Sequence, residues 1–142
     1  MLIETDEGLA NLLKTVRHVA LVGASHKPER PSYQVLEFLL KKGYRVTPVN
    51  TGLAGQTLQG QTVVGSLNDI DAPVDLVDIF RDGSALPDLV DEAVAIGASS
   101  LWTQLGVRHP AAEQKALDQG LTVVIDKCPA KEWPRLQACG LL

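Results

Sequence analysis

A short turn of small residues followed by positive charge has the composition of a phosphate-binding site. Gly23 allows the backbone to turn sharply and to approach a ligand closely. The small residues Ala24 and Ser25 keep that approach open, and Lys27 and Arg30 place positive charge beside the turn. These residues predict a site for phosphate groups. The alternative is an ordinary strand-to-helix turn followed by a solvated basic loop.

The helix expected after this turn would contribute to the same site. The free N–H groups at its amino-terminal end favour an anion. Pro31 fits a first helical turn, and Ser32 could cap the helix or form a hydrogen bond to a phosphate. His26 lies in the loop itself and is a further candidate for contact with a ligand.

Two departures from the dinucleotide fingerprint argue against ordinary NAD chemistry. Gly23 is not followed by glycines at the G-x-G-x-x-G spacing. Asn50 ends the second predicted strand, where an NAD-binding protein usually has a carboxylate for the ribose hydroxyls. A neutral amide adds no repulsion against a ligand with extra phosphate charge, so Asn50 is a candidate binding residue. The alternative is that it only forms a turn after the strand.

Further candidate residues follow the later predicted strands. Arg81 could pair with a phosphate and Phe80 could stack on an adenine, or the two could be a surface arginine beside a core phenylalanine. Trp102 and Gln104 come near the end of the fourth strand, and Cys128 follows the fifth. Both ligand contact and core packing stay open for Trp102 and Cys128.

No catalytic residue and no metal site are predicted. The sequence lacks the P-loop, the zinc-protease motif and the nucleophile elbow. Its three histidines have no metal-ligand spacing, and His18 and His109 are expected to be structural or exposed. Its two cysteines are too few for a disulfide framework or a zinc cluster. Asp75 and Asp78 flank the third predicted strand and are expected to serve turns or solvent.

An alternation of strands and helices must position these residues. Strands are predicted at residues 19–23, 45–50, 75–80, 100–105 and 121–126. Helices are predicted at residues 6–16, with Thr5 as the cap, and at residues 32–42, 86–96, 110–119 and 133–138. Residues 51–70 are the least regular part, with a short strand or turn expected near Val63.

The apolar strands predict an α/β fold with a doubly wound parallel sheet. They lack a clean alternation of polar and apolar residues, which indicates burial on both faces by helices. Right-handed crossovers then favour five strands in the order 3-2-1-4-5. Ligands bind such sheets beyond the carboxyl ends of the strands, at the switch point. The loops that matter are therefore residues 23–32, 50–52, 80–84, 103–109 and 126–131.

The bulk composition excludes several classes of protein. A chain of 142 residues predicts one domain, residues 1–142. A net charge of −4 argues against a nucleic-acid partner, because such binding rests on basic residues. The apolar runs are short and interrupted, so no membrane association is expected, and the acidic amino-terminal stretch is unlike a signal peptide. A cytoplasmic location is the simplest expectation.

Seven short segments, in this order along the chain, resemble the small bacterial and archaeal CoA-binding proteins. These are stand-alone relatives of the CoA-binding domain in succinyl-CoA synthetase alpha subunits. One departure is Thr51, since the family usually has a proline after the asparagine, and the loop there is expected to be less rigid. The matching segments are VGAS (residues 22–25), RPS (30–32), GYRVTPVN (43–50), VDLVDIFR (74–81), GA (97–98), LWTQLGV (101–107) and KCPAKEWPRL (127–136).

The resemblance implies a Rossmann-like fold that holds coenzyme A, or an acyl-CoA, in the cleft at the carboxyl ends of the strands. In that arrangement the pyrophosphate contacts the VGAS turn and the helix N-terminus, with Lys27 and Arg30 neutralising its charge. The remaining assignments are the adenosine end to Asn50, Phe80 and Arg81, and the border of the pantetheine arm to Trp102, Gln104 and Cys128.

The expected function is therefore non-catalytic binding of CoA. Succinyl-CoA synthetase also requires a second domain with a phosphorylated histidine and a partner subunit, so ligase activity is not expected from this chain alone. Two alternatives stay open. One is a small NAD(P)-dependent oxidoreductase whose basic loop holds a 2′-phosphate, and the other is a protein-interaction module regulated by a nucleotide.

Overall fold

The computed structural model describes residues 1–142 and consists of five α-helices and seven β-strands, with three short 3-10 turns. The helices are α1 (Asp6–Thr15), α2 (Pro31–Lys41), α3 (Leu86–Ala95), α4 (Pro110–Asp118) and α5 (Pro129–Ala138). The strands are β1 (His18–Val22), β2 (Arg45–Val49), β3 (Thr57–Leu58), β4 (Gln61–Thr62), β5 (Leu76–Ile79), β6 (Ser100–Thr103) and β7 (Thr122–Val124).

Five of the strands form one parallel sheet in the order β2-β1-β5-β6-β7. All five residues of β1 are buried, because side chains of one strand point alternately to opposite faces and both faces are covered. Val19 and Leu21 pack with residues of α1, α2 and α5, whereas Ala20 and Val22 pack with residues of α3 and α4. The predicted α/β, Rossmann-like parallel sheet with helices on both faces is confirmed.

The strand order differs from the predicted 3-2-1-4-5. Counted over the five predicted strands it is 2-1-3-4-5, so β5 pairs with β1 instead of lying outside β2. Both orders allow right-handed crossovers. The connection from β2 to β5 has no α-helix that could pack beside α2 and bring β5 to the outer side of β2. Instead, Val64 of that connection bridges Val49 and occupies this edge. The switch point therefore lies between β1 and β5.

Both outer strands of the sheet are covered by additional backbone. At β2, the N–H of Asn50 donates to the carbonyl of Val64 over 2.9 Å. At β7, Leu2 forms a parallel bridge with Val123, and the N–H of Ile3 donates to the Val123 carbonyl over 2.9 Å. The irregular segment predicted at residues 51–70 contains the β3–β4 hairpin.

The helix ends follow the local sequence signals in most places. The Thr5 hydroxyl accepts a hydrogen bond from the N–H of Gly8 over 3.1 Å, as predicted for the cap of α1. Helix α5 begins at Pro129, four residues before the predicted start, because Pro129 takes the first-turn position that suits proline. None of the helices has the length and the apolar composition needed to span a bilayer.

Replacing Gly23 by alanine should destabilise the protein more than the same change at Gly43. Gly23 has φ of +89°, and a Cβ at this position would lie 2.7 Å from the Phe80 carbonyl oxygen. We expect Gly23→Ala to cost about 2–4 kcal/mol, from the left-handed backbone together with the steric overlap. Gly43 has φ of +93°, but a Cβ there would meet no neighbouring atom within 4 Å, so Gly43→Ala should cost about 1–2 kcal/mol. Urea unfolding of both variants measures the difference, and equal losses would contradict the steric part of the argument.

Candidate functional site

Nine of the fourteen predicted site residues line a single cavity at the carboxyl edge of the sheet. We call it the turn cavity, because the segment after β1 forms most of its wall. The loop after β2 and the end of β5 complete it, as expected for a site at the switch point. The nine residues are Gly23, Ala24, Ser25, His26, Lys27, Arg30, Asn50, Phe80 and Arg81.

The free backbone donors of this turn belong to Ser25, which was among the expected residues, and to His26. The N–H groups of Gly23 and Ala24 both donate to the Val49 carbonyl, over 3.0 and 3.2 Å, which ties the turn to β2. The N–H groups of Ser25 and His26 have no partner in the protein. Backbone donors for an anion are therefore available at Ser25 and His26, while those of Gly23 and Ala24 are already used.

The side chain of Asn50 connects the two loops of the turn cavity. Its Nδ2 donates to the Ala24 carbonyl over 2.6 Å, and its Oδ1 accepts from the N–H of Gly52 over 2.8 Å. Both ends of the amide are thus engaged within the protein. Asn50 thereby fixes the turn after β1 against the loop after β2, with a neutral side chain at this position of the cavity.

Three cations face the turn cavity without a protein counter-charge. Lys27, Arg30 and Arg81 are exposed, and none belongs to any of the six ion pairs of the structure. The chain as a whole is acidic, with a net charge of −4, so this local excess of positive charge is not an average property of its surface. The arrangement favours an anionic ligand.

The amino-terminal end of α2 is open towards the same region. Pro31 is the first residue of the helix, Arg30 takes the cap position, and no side chain caps the helix. The expectation that Ser32 caps the helix is wrong, because Ser32 lies inside the first turn and is buried. The uncapped first turn leaves the positive end of the helix available to an anion.

A second cavity of about 520 Å³ continues along the carboxyl edge from the turn cavity. We call it the apolar cavity, because most of its wall is hydrophobic. Phe80 lines both cavities, so the two lie next to each other at this residue. The residues predicted for a site that line it are Pro31, Phe80, Gln104 and Cys128; those that the sequence reasoning missed are Gln34, Val35, Leu105, Val107, Ala130 and Lys131.

A third, polar cavity lies on the other side of the turn and shares Gly23, Asn50 and Arg81 with the turn cavity. Ser66 and Glu92 also line it, and neither was predicted as a site residue. Only the general rule that ligands bind at strand ends could have pointed to Ser66, since it lies in the irregular connection between β2 and β5.

Trp102 does not line any of these cavities. Its side chain is fully buried, and its indole Nε1–H donates to the Lys127 carbonyl over 2.8 Å. This position follows from strand geometry, since Trp102 is on the same face as Gln104 but two residues deeper in the sheet. Trp102 therefore anchors the segment that precedes Cys128 instead of contacting a ligand directly.

Asp78 is buried in the middle of the sheet, contrary to the expectation that it serves a turn or solvent. It lies in register between Leu21 of β1 and Trp102 of β6, and neither carboxyl oxygen has a hydrogen-bond partner. Burial raises the pKa of this carboxyl well above its ordinary value. Asp75 behaves as expected, because its Oδ2 accepts from the N–H groups of Arg17 and His18 over 3.0 and 2.9 Å.

Two of the histidines have structural roles, as expected. The ring nitrogens of buried His18 lie 2.6 Å from the Pro73 carbonyl oxygen and 2.7 Å from the Thr47 hydroxyl. His109 caps α4, with Nδ1 accepting from the N–H of Ala112 over 3.1 Å. The structure contains no cluster of three or more His, Cys, Asp and Glu side chains placed to hold a metal ion.

Comparison with known proteins finds a family and a relative of similar sequence. The family profile described as "CoA binding domain" matches residues 17–134. The "Uncharacterized protein YneT" of Bacillus subtilis (strain 168) is 32% identical over 120 residues, which cover 84% of this chain and 87% of YneT.

Two solved structures are similar over nearly the whole chain. "Cell-free ID.343" from Thermus thermophilus superposes with a TM-score of 0.90 at 39% identity, covering 94% of this chain and 99% of that one. A "hypothetical protein" from Pyrococcus horikoshii OT3 superposes with a TM-score of 0.90 at 34% identity, covering 94% and 93%.

Replacing Asp78 by asparagine should make the stability of the protein less sensitive to pH. Burial raises the pKa of Asp78 in the folded state, so the folded protein keeps a proton that the unfolded chain releases. The stability of the wild type therefore falls as the pH rises above the ordinary aspartate pKa of about 4. An asparagine at this position does not titrate. Between about pH 5 and pH 8, the free energy of unfolding of the variant should therefore rise relative to that of the wild type by on the order of 1 kcal/mol or more.

Urea unfolding at several pH values measures this difference. Asp71→Asn is a suitable control, since Asp71 is exposed and its replacement removes the same charge. If the free energy of unfolding depends on pH in the same way for the wild type and for Asp78→Asn, the buried carboxyl does not titrate as we expect.

Proposed function

Because this chain belongs to the CoA binding domain family, we propose that it binds coenzyme A, or an acyl-CoA, along the carboxyl edge of its sheet. The observation that carries the proposal is the pair of adjacent cavities that share Phe80, one lined by unpaired cations and the other mostly by apolar residues. CoA has the same division, with a highly charged nucleotide end and a long, uncharged pantetheine arm.

The pyrophosphate is assigned to the turn cavity. The free N–H groups of Ser25 and His26 are the backbone donors for its oxygens, and the uncapped start of α2 adds the positive end of the helix. The exposed cations Lys27 and Arg30 neutralise its charge. These groups support an anionic ligand because a charge-assisted hydrogen bond is stronger than a neutral one.

The adenosine end is assigned to the region around Asn50 and Arg81, where the turn cavity meets the polar cavity. CoA carries a phosphate on the ribose, so a carboxylate at position 50 would repel it and the neutral amide does not. Arg81 has no ion-pair partner and is free to pair with this phosphate. Phe80, at the junction of the cavities, covers the ligand between its two ends.

The pantetheine arm is assigned to the apolar cavity, and the proposed role is binding without conversion of the ligand. Among the residues that line this cavity, Cys128 and Lys131 are the titratable ones, and no histidine or carboxylate is among them. General acid–base chemistry most often uses a histidine or a carboxylate within hydrogen-bond reach of the reacting atom. The composition of the wall therefore supports a binding role.

Isothermal titration calorimetry with CoA, NADP and ATP tests the proposal. The protein must first be shown to be folded and free of carried-over ligand. We expect CoA to bind selectively, with an affinity that falls as salt is added, because exposed charges are screened. Selective binding of NADP would contradict the proposal and favour an oxidoreductase instead. If none of the three ligands binds, the proposal is also overturned.

Replacing Arg30 by alanine should weaken CoA binding by roughly 5- to 150-fold in Kd, as expected for the loss of one charge-assisted contact. Arg17→Ala is the matched control, because Arg17 is also exposed and without an ion-pair partner but lies at the amino end of β1, away from the cavities. We expect calorimetry to measure the same Kd for CoA with Arg17→Ala as with the wild type. Equal effects of the two changes would remove Arg30 from the site.

A further inference from the structure

We propose that Cys128 captures bound CoA as a mixed disulfide between its Sγ and the sulfur of the pantetheine arm. This inference rests on the proposed function, since it needs CoA to be held along the carboxyl edge. It adds a covalent, redox-dependent state to what would otherwise be a reversible complex.

The thiol of Cys128 lies in the wall of the apolar cavity and is otherwise unused. The residue is buried at 8% exposure, and it is a free cysteine. It takes the cap position of α5, but its side chain forms no capping hydrogen bond. The sulfur is therefore available to a ligand that enters the cavity.

The pantetheine arm is long enough to reach from the turn after β1 to Cys128. The N–H of Lys127 donates to the Thr103 carbonyl over 3.2 Å, so the segment that precedes Cys128 lies at the end of β6, two strands from β1 in the order β1-β5-β6. Neighbouring strands are about 4.8 Å apart, so two steps span about 10 Å. The arm has about a dozen bonds between its phosphate oxygen and its sulfur, equal to about four extended residues or roughly 14 Å. An arm that starts at the turn after β1 and lies across β5 is thus long enough to bring its sulfur to Cys128.

An unpartnered side chain between these two points also indicates a ligand. Gln104 follows β6 and lines the apolar cavity, it is only 6% exposed, and its Oε1 has no hydrogen-bond partner. A buried acceptor without a partner is costly, so a donor is expected to complete it. The pantetheine arm carries two amide N–H groups, and one of them would pass this position on the way to Cys128.

Positive charge lies close to Cys128. The first turn of α5 follows directly and directs its positive end at this residue. Lys131 lines the same cavity and has no ion-pair partner. Positive potential beside a cysteine is a common feature of cysteines that take part in thiol–disulfide exchange.

The oxidant in the proposed step is CoA disulfide. The Cys128 thiolate attacks one sulfur of the bound CoA disulfide, the S–S bond of that molecule breaks, and a new S–S bond forms between Cys128 and one CoA. The second CoA leaves as a thiolate and takes up the proton that Cys128 released. One disulfide is broken and one is formed, so the step involves no net oxidation. A thiol reductant reverses it.

Intact-mass spectrometry of the reduced protein after incubation with CoA disulfide tests the inference. The Cys139→Ser variant keeps Cys128 as the one cysteine, and the Cys128→Ser variant keeps the exposed Cys139. We expect Cys139→Ser to gain the mass of one CoA less two hydrogens and to lose it again on reduction. With Cys128→Ser, modification by CoA disulfide should be at least about tenfold slower, since no bound arm directs it to Cys139.

A phosphate-free reagent separates directed exchange from general reactivity. In the Cys139→Ser background, Arg30→Ala should slow the reaction of Cys128 with CoA disulfide but leave its reaction with hydroxyethyl disulfide unchanged. If Arg30→Ala slows neither reaction, or if Cys128 reacts equally fast with both reagents in the parent, exchange is not directed by CoA binding and the inference fails.

Calorimetry distinguishes this failure from failure of the proposed function. Binding of CoA to the protein without any adduct at Cys128 would overturn the covalent step alone. Absence of CoA binding together with absence of the adduct would overturn both.

Discussion

The close contact between the turn after β1 and the end of β5 is the constraint on which the cleft depends. No side chain fits between Gly23 and the Phe80 carbonyl, so the two segments meet backbone to backbone. The Gly23 and Ala24 amides bind the turn to β2 on its other side. The turn is thus held between two strands, and the groups that line the turn cavity from Ser25 onward project from a fixed frame.

Local patterns in the sequence predicted the parallel α/β fold and most of one cavity. Strands, helices and the turn after β1 are local features, and the carboxyl ends of parallel strands always share one edge. The strand order was wrong because it depends on where a long connection crosses the sheet. Both orders fit the handedness rule, and the decisive contact, Val64 with Val49, joins an irregular segment to an edge strand.

Trp102 and Asp78 illustrate a second limit of sequence reasoning. Two roles stayed open for Trp102, and Asp78 was expected to serve a turn or solvent. Both belong to strand residues on the face that carries the apolar cavity, yet each lies deeper than the residue two positions later. The covered faces of β5 decide the outcome for Asp78, because a residue in the middle of such a strand is buried whatever its polarity. The wall of the turn cavity was easier to predict, since most of its residues are consecutive and belong to one turn.

The covered edges of the sheet affect how copies of this protein meet one another. Unpaired edge strands offer a row of backbone donors and acceptors to a second chain, and this is a common start of edge-to-edge aggregation. Here Val64 pairs with β2 on one side, and Leu2 pairs with β7 on the other. Strand addition from a neighbouring molecule at β2 or β7 would first have to displace these segments.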